Sequence, residues 1–164
     1  MSAAVTPEFL KTLAFFTPAT ERELNRLIPT VRRESHPAGA VLFREGDELT
    51  CAFIVIAGTV ALEVTGRDRR PRLFQTIGPG ELLGWSPLLG IGPMTASARA
   101  LTDAEVVAID ALAVLTVCEE DSWFGYLFMR RMAAAIAARL SAMRSRLLDV
   151  CGPELPESAI GGRQ

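Results

Sequence analysis

The sequence predicts an α+β fold, mainly β: an antiparallel β jelly-roll barrel with short N-terminal helices and a long C-terminal helix. Three observations predict it. Between Thr30 and Asp110, β-branched or apolar runs are separated by Gly and Pro about every ten residues, the texture of many short antiparallel strands. Before that stretch, apolar residues recur at helical spacings. From Tyr126 to Cys151 they do so again, with no Gly or Pro to interrupt them.

Phe9, Leu10, Leu13, Phe16, Leu24, Leu27 and Ile28 give two short helices broken at Thr17-Pro18. Thr20 followed by Glu23 is a capping-box arrangement that starts the second, because the hydroxyl and carboxylate satisfy free amides of the first turn. Strands are expected at Val31–Ser35, Val41–Phe43, Ala52–Ile56, Val60–Thr65, Leu73–Ile77, Ala96–Ala100 and Glu105–Ile109. Turns fall at Pro37-Ala38-Gly39, Gly46-Asp47, Gly58 and Gly78-Pro79-Gly80. Val60, Leu62 and Val64 alternate with Ala61, Glu63 and Thr65, so that strand buries one face, and its partner across Gly58 forms a hairpin with it. Gly66 to Arg70 is a charged loop tip, read as solvated rather than as a docking patch.

Asp121 or Ser122 caps the long helix. Met129, Ala133, Ile136, Leu140, Met143, Leu147 and Val150 then follow at alternating steps of four and three, the spacing of a coiled-coil seam. Such a stripe covers either the protein's own barrel or a second copy, and Met129, Ile136, Leu140, Met143 and Leu147 are the candidate dimer or partner residues. Arg130, Arg131, Arg139, Arg144 and Arg146 lie off the seam and read as a solvated face. The domain plan is a helical segment over 1–28, a β-roll over 29–110, C-terminal helices over 111–151 and a disordered tail over 152–164, rich in Pro, Gly and polar residues.

Composition excludes several classes. The 164 residues suit one domain. Despite 49% hydrophobic residues, charges, Gly and Pro interrupt every apolar run before it could span a bilayer. No secretory leader is visible in the first sixteen residues, so a cytoplasmic location without membrane association is expected. Cys51, Cys118 and Cys151 match neither a disulfide framework nor a metal-ligand spacing and read as reduced thiols. A net charge of −2 gives no general attraction for a nucleic-acid backbone.

The runs PAGAVLFREGDE, FIVIAGTVALEV, IGPGELLGWSPLL and PMTASARALTDAEVVAID, taken in order, carry a resemblance. Pro37 to Asp110 resembles the cyclic-nucleotide-binding domain of catabolite-activator (Crp/Fnr-like) regulators and protein-kinase regulatory subunits. With flanking helices the resemblance extends from about Phe9 to Val150. It implies a regulatory, signalling role: a small-molecule sensor in which a phosphate-binding cassette, here 78–100, reports to the C-terminal helices. In the family a Gly-Glu pair opens the cassette, the Glu binding the sugar hydroxyl, and an arginine binds the cyclic phosphate. Gly84 matches, but Trp85 stands at the glutamate's place and Met94 at the arginine's, while Thr95 and Ala96 fit the small residues that follow. Losing a bidentate arginine–phosphate pair costs about 1.5–3 kcal/mol, roughly tenfold to a hundredfold in affinity.

The resemblance thus makes Leu83, Gly84, Trp85, Ser86, Met94, Thr95 and Ala96 the candidate ligand-binding residues. The amides of 84–89, opening a short helix, and the Thr95 hydroxyl are the remaining anion donors. Arg99, the nearest cation, is expected to stiffen the segment through a carboxylate. Trp85 either stacks on a planar ligand or fills the cavity, and the two missing contacts favour filling.

No catalytic machinery is visible. Gly84-Trp85-Ser86 lacks the closing glycine of a nucleophile elbow. The lone His36 cannot build a histidine metal site, and Glu119, Glu120 and Asp121 serve a helix N-terminus better than acid–base roles. The expectation is a non-enzymatic module with no cofactor or metal, a possible cyclic-nucleotide ligand, and a homodimer through the C-terminal helix or another protein partner. DNA-binding relatives continue into a helix-turn-helix, whereas only a short tail follows here, so direct DNA binding is not expected. The alternatives are a ligand-free scaffold and a regulator acting through another regulator.

Overall fold

A computed structural model describes residues 4–151. Helices α1 (Pro7–Lys11) and α2 (Glu21–Leu27) precede eight strands: β1 (Val31–His36), β2 (Val41–Phe43), β3 (Cys51–Ala57), β4 (Val60–Thr65), β5 (Pro71–Ile77), β6 (Leu82–Leu83), β7 (Ser97–Ala100) and β8 (Ala104–Asp110). The one-turn helix α3 (Ser86–Leu89) lies between β6 and β7, and α4 (Ala111–Glu120) and α5 (Ser122–Cys151) close the chain. The tail expected to be disordered lies outside the described residues.

The strands form two four-stranded antiparallel sheets, ordered β1-β8-β3-β6 and β2-β7-β4-β5. The jelly roll is as expected, but the sheets face each other as a roll and no ladder closes them into a continuous barrel among the described residues. One expected pairing is corrected: β3 and β4 do not form a hairpin across Gly58. β3 pairs with β6 and β8, whereas β4 pairs with β5 and β7, so the Gly58 turn carries the chain from one sheet to the other. Gly58 has φ +82°, and a Cβ there would sit 2.2 Å from the Asp103 carbonyl oxygen, so the crossover requires glycine. β4 instead turns back through the exposed Gly66–Arg70 loop to β5.

Two apolar cores result. Phe53, Val55, Val60, Leu62, Ile77, Met94, Ala98, Val106 and Ala108 fill the space between the sheets. On the other side of the first sheet, Ala52, Ile54, Val107 and Ile109 meet a helical layer built from Leu10, Phe16, Leu24, Leu27, Val114, Phe124, Phe128 and Met132. β3 and β8 are therefore buried on both faces, which is why CAFIVI and VVAI run apolar without alternation. The alternation expected along β4 is not seen in its burial: Val60, Ala61 and Leu62 are all buried, Glu63 and Val64 are half-buried and Thr65 is exposed.

The helix termini follow their local chemistry. The Thr20–Glu23 capping box is formed: the Thr20 amide donates to Glu23 Oε2 at 2.6 Å and the Glu23 amide to Thr20 Oγ1 at 3.3 Å. The Phe124 amide donates to Asp121 Oδ1 at 3.0 Å and so caps α5. That bond, aided by Arg26 at 3.1 Å, holds the Asp121 carboxyl below the usual carboxylate range. Arg26 also meets Glu120 at 3.3 Å, so two of the three clustered carboxylates hold α2 to the α4–α5 junction. Among the described residues no helix is long and apolar enough to cross a membrane.

The α5 stripe divides. Phe124, Phe128, Met132, Ala135 and Arg139 point inward on a line roughly a quarter-turn from the heptad seam, at about 100° per residue. Met129 and Ile136 are half-buried, but Leu140 and Leu147 remain 66% and 64% exposed. Phe128 is fully buried with its ring edge-on to Phe15. Phe128→Ala should lower unfolding free energy by about 3–5 kcal/mol in urea denaturation, whereas Leu140→Ala should change the monomer by less than about 0.5 kcal/mol.

Candidate functional site

The cassette-like segment is held at both ends by backbone bonds. The Gly80 amide donates to the Val55 carbonyl at 2.8 Å and the Val55 amide to the Glu81 carbonyl at 3.0 Å, which sets β6 against β3. At the far end the Met94 amide donates to the Asp47 carbonyl at 2.9 Å and the Gly46 amide to the Met94 carbonyl at 2.8 Å. The expected Gly46-Asp47 turn is therefore the anchor of the segment's return, and the Arg44 amide closes that turn onto Asp47 Oδ2 at 2.8 Å. Between these anchors the chain bends at Gly84, with φ +67°. A Cβ at Gly84 would lie 3.3 Å from both the Phe43 and Phe53 rings.

A cavity of about 260 Å³ opens where this segment meets α5. Gly84, Trp85, Ser86, Met94, Thr95 and Ala96 line one side, Phe43, Leu62 and Phe74 the sheet side, and Arg139 and Met143 the helix side. Six of the seven expected ligand residues are thus together. Leu83 is not among them: successive side chains of β6 point to opposite faces, and Leu83 is fully buried in the core between the sheets. Met143, expected on the free seam, faces the cavity instead, because it lies at the edge of the inward stripe.

The donors present are few. α3 is a single turn; Pro87 has no amide hydrogen, and the Leu88 amide is spent on the Trp85 carbonyl at 3.0 Å. Of the amides expected to open an anion site at this helix start, those of positions 87 and 88 are thus not available. Ser86, which is buried, and Thr95 bring hydroxyls to the wall. Met94, only 5% exposed, packs into the core beneath. Arg99 takes the stiffening role: its Nε donates to Glu63 Oε1 at 3.3 Å and its Nη1 to the Gly39 carbonyl at 3.2 Å, and it does not line the cavity.

Arg139 overturns the expectation of a solvated arginine face. Its guanidinium carbon lies 4.6 Å from the centre of the Trp85 ring, a cation–π arrangement. Its Nη2 donates to the Leu82 carbonyl, and its Nε is buried without a hydrogen-bond partner. Burial pulls its pKa below the ordinary arginine value, and Glu81 acts in the opposite sense. Arg131 is also inward, its side chain 12% exposed and paired with Glu23 at 3.5 Å. Trp85 is half-buried, and its ring does not fill the space; one face carries Arg139 and the cavity stays open beside it. Arg139 escaped the sequence reading because the seam drew attention to the wrong face. The steps Phe124, Phe128, Met132, Ala135, Arg139 were the available signal.

His36 faces Glu34 at 3.3 Å on β1, away from the cavity. Cys51 and Cys118 are free thiols.

The family sequence model of the cyclic nucleotide-binding domain matches residues 33–121, more than half of the chain and all of the roll but the first two residues of β1. The chain belongs to this family. It is 31% identical over 133 residues to a cyclic AMP receptor protein of Thermus thermophilus, covering 81% of this chain and 56% of that protein. It is 29% identical over 139 residues to an HTH-type transcriptional regulator of Mycobacterium tuberculosis, covering 85% of this chain and 55% of the relative. The chain therefore spans a little over half the length of these curated relatives. A provisionally assigned cyclic nucleotide-binding protein from Geobacter metallireducens GS-15 superposes with a TM-score of 0.74 at 28% identity, over 83% of this chain and 98% of that one.

Within this family's fold the cavity depends on the bend at Gly84. Gly84→Ala should cost about 1–2 kcal/mol in chemical denaturation, from the left-handed backbone alone, with further loss if the Phe43 and Phe53 rings cannot shift.

Proposed function

We propose that the chain is a non-catalytic sensory module whose cavity takes a small ligand and passes its presence to the C-terminal helix. One observation carries the reading: Arg139 and Met143 of α5 form a wall of the same cavity that the cassette residues Gly84 to Ser86 and Met94 to Ala96 line. An occupant touches both elements at once, so its binding energy acts directly on the helix position. A ligand shifts a conformational equilibrium only through differential contacts with its states, and such contacts lie here in the second half of a thirty-residue helix.

Ligand identity follows from size and chemistry. The cavity is just below the range of about 300–1,000 Å³ usual for drug-sized ligands, which favours a compound of mononucleotide size or smaller over a dinucleotide. A cyclic mononucleotide is the first candidate on family grounds. Its affinity is expected to be weak, because Met94 supplies no cation and Trp85 no carboxylate.

A second reading is favoured by the exposed leucines of α5. Leu140 and Leu147, with half-buried Ile136 between Met129 and Leu140, present an apolar strip that a second copy's strip would cover, making the chain a homodimeric scaffold with or without ligand.

Isothermal titration with cyclic AMP and cyclic GMP tests the sensor directly. Micromolar binding that weakens at least fivefold in Thr95→Ala is the expected result; no heat from either nucleotide counts against cyclic-mononucleotide sensing. Light scattering on Leu140→Arg tests the strip, with a dimer expected for the unaltered chain and a monomer for the variant.

A further inference from the structure

Met94 occupies the place from which the family supplies its phosphate-binding arginine, yet the cavity has a cation. It comes from a different element. Arg139 lies forty-five residues further along, on α5, and its guanidinium reaches the cassette through Trp85 and the Leu82 carbonyl. We propose that Arg139 is the anion-binding residue of this cavity and that the ligand is a small molecule bearing an oxyanion, so that the group meeting the ligand's charge is carried by the helix that moves. The proposal deepens the sensory reading and rests on it for the location of the ligand.

Four observations support the assignment. The guanidinium is desolvated, and no carboxylate pairs with it among the ion pairs of the described residues. Its Nε is buried and unpartnered, and a buried donor left unmade costs free energy that an acceptor recovers. Among the described residues the cavity wall contains no aspartate or glutamate, the nearest carboxylate acting on Arg139 being Glu81 outside it, while Ser86 and Thr95 bring hydroxyl-bearing side chains to the wall. The fourth is a contrast. Arg139 also borders a second cavity, of about 410 Å³, on the alanine face of α5, but there Glu81 lies in the wall, and the other arginine, Arg131, is already paired with Glu23 at 3.5 Å. The two spaces share the Arg139 guanidinium, and of the two only the larger has a carboxylate in its described wall.

A guanidinium held by stacking and a single carbonyl bond can exchange that bond for a bidentate oxyanion at little cost, because the planar fork is preorganised for two parallel contacts. An oxyanion that captures it changes the hold of α5 on Leu82 and Trp85. Binding and helix release then become one event, which a cassette-borne arginine would not provide.

The test uses the full chain with Trp123→Phe, leaving Trp85 as the only tryptophan, and follows its fluorescence on titration with cyclic AMP, adenosine as the uncharged counterpart, and inorganic pyrophosphate. The NMR signal of the Arg139 Nε–H is followed in parallel. Expected are cyclic AMP or pyrophosphate binding that shifts the Arg139 Nε–H signal, falls at least tenfold in Arg139→Gln and is partly restored in Arg139→Lys, with adenosine indifferent to both substitutions. Cyclic AMP binding equally well to Arg139→Gln overturns the role of Arg139 and leaves the sensory reading standing. Pyrophosphate shifting the Nε–H signal while cyclic nucleotides do not bind sustains the anion site and removes the nucleotide. No response of the Nε–H signal to either anion overturns the proposal. Thermal melts of both Arg139 variants establish that the chain remains folded; if Arg139→Gln does not fold, the Nε–H titration of the unaltered residue decides alone.

Discussion

Phe124, Phe128 and Met132 pack into the layer between the N-terminal helices and the first sheet, and this packing fixes the rotation of α5 for everything downstream. Phe15 meets Phe16 and Phe128 edge-on, and Phe124 stacks on Phe128, so the helix start sits in an aromatic cluster with little freedom to turn. A helix advances 1.5 Å per residue and about 100° in rotation, so a fixed rotation at Phe128 dictates what faces inward eleven residues later. That residue is Arg139. Were the seam of Met129, Ile136 and Leu140 turned inward instead, no cation would reach the cassette.

In the proposed site one chemical requirement has moved between elements. Anion recognition needs a positive group with donors at fixed geometry, and it does not matter to the ligand which strand or helix supplies them. Here the cassette keeps the bend and the small residues, at Gly84, Thr95 and Ala96, while Met94 and Trp85 add apolar surface. The Trp85 ring then serves the arginine: its face receives the guanidinium at 4.6 Å and partly compensates the water lost on burial.

The same helix presents two unlike faces. One is committed to the protein's own core and cavity; the other carries Leu140 and Leu147 into solvent. Both faces belong to one helix, and Leu140 is the neighbour of Arg139 in sequence.

Much of the fold was legible without coordinates. Turn residues at Gly39, Gly46, Gly58 and Gly80 have backbone angles that few other residues adopt, so they marked the strand ends to within a residue or two. The capping box at Thr20 and Glu23 was legible for the same reason: it is a local interaction among four residues. β6 was not, since two residues between glycines carry no periodicity, and the sheet membership of β3 and β4 was not, since nothing in a turn says whether the chain stays in one sheet or crosses to the other. Six of the candidate ligand residues could be named because the resemblance places the cassette over a short stretch of sequence. Arg139 could not, because its approach to Trp85 is set by aromatic packing at the far end of the helix. Local backbone chemistry determined the elements and the bend at Gly84, while long-range packing decided which helix face turns inward, and with it the one charged group that lines the cavity among the described residues.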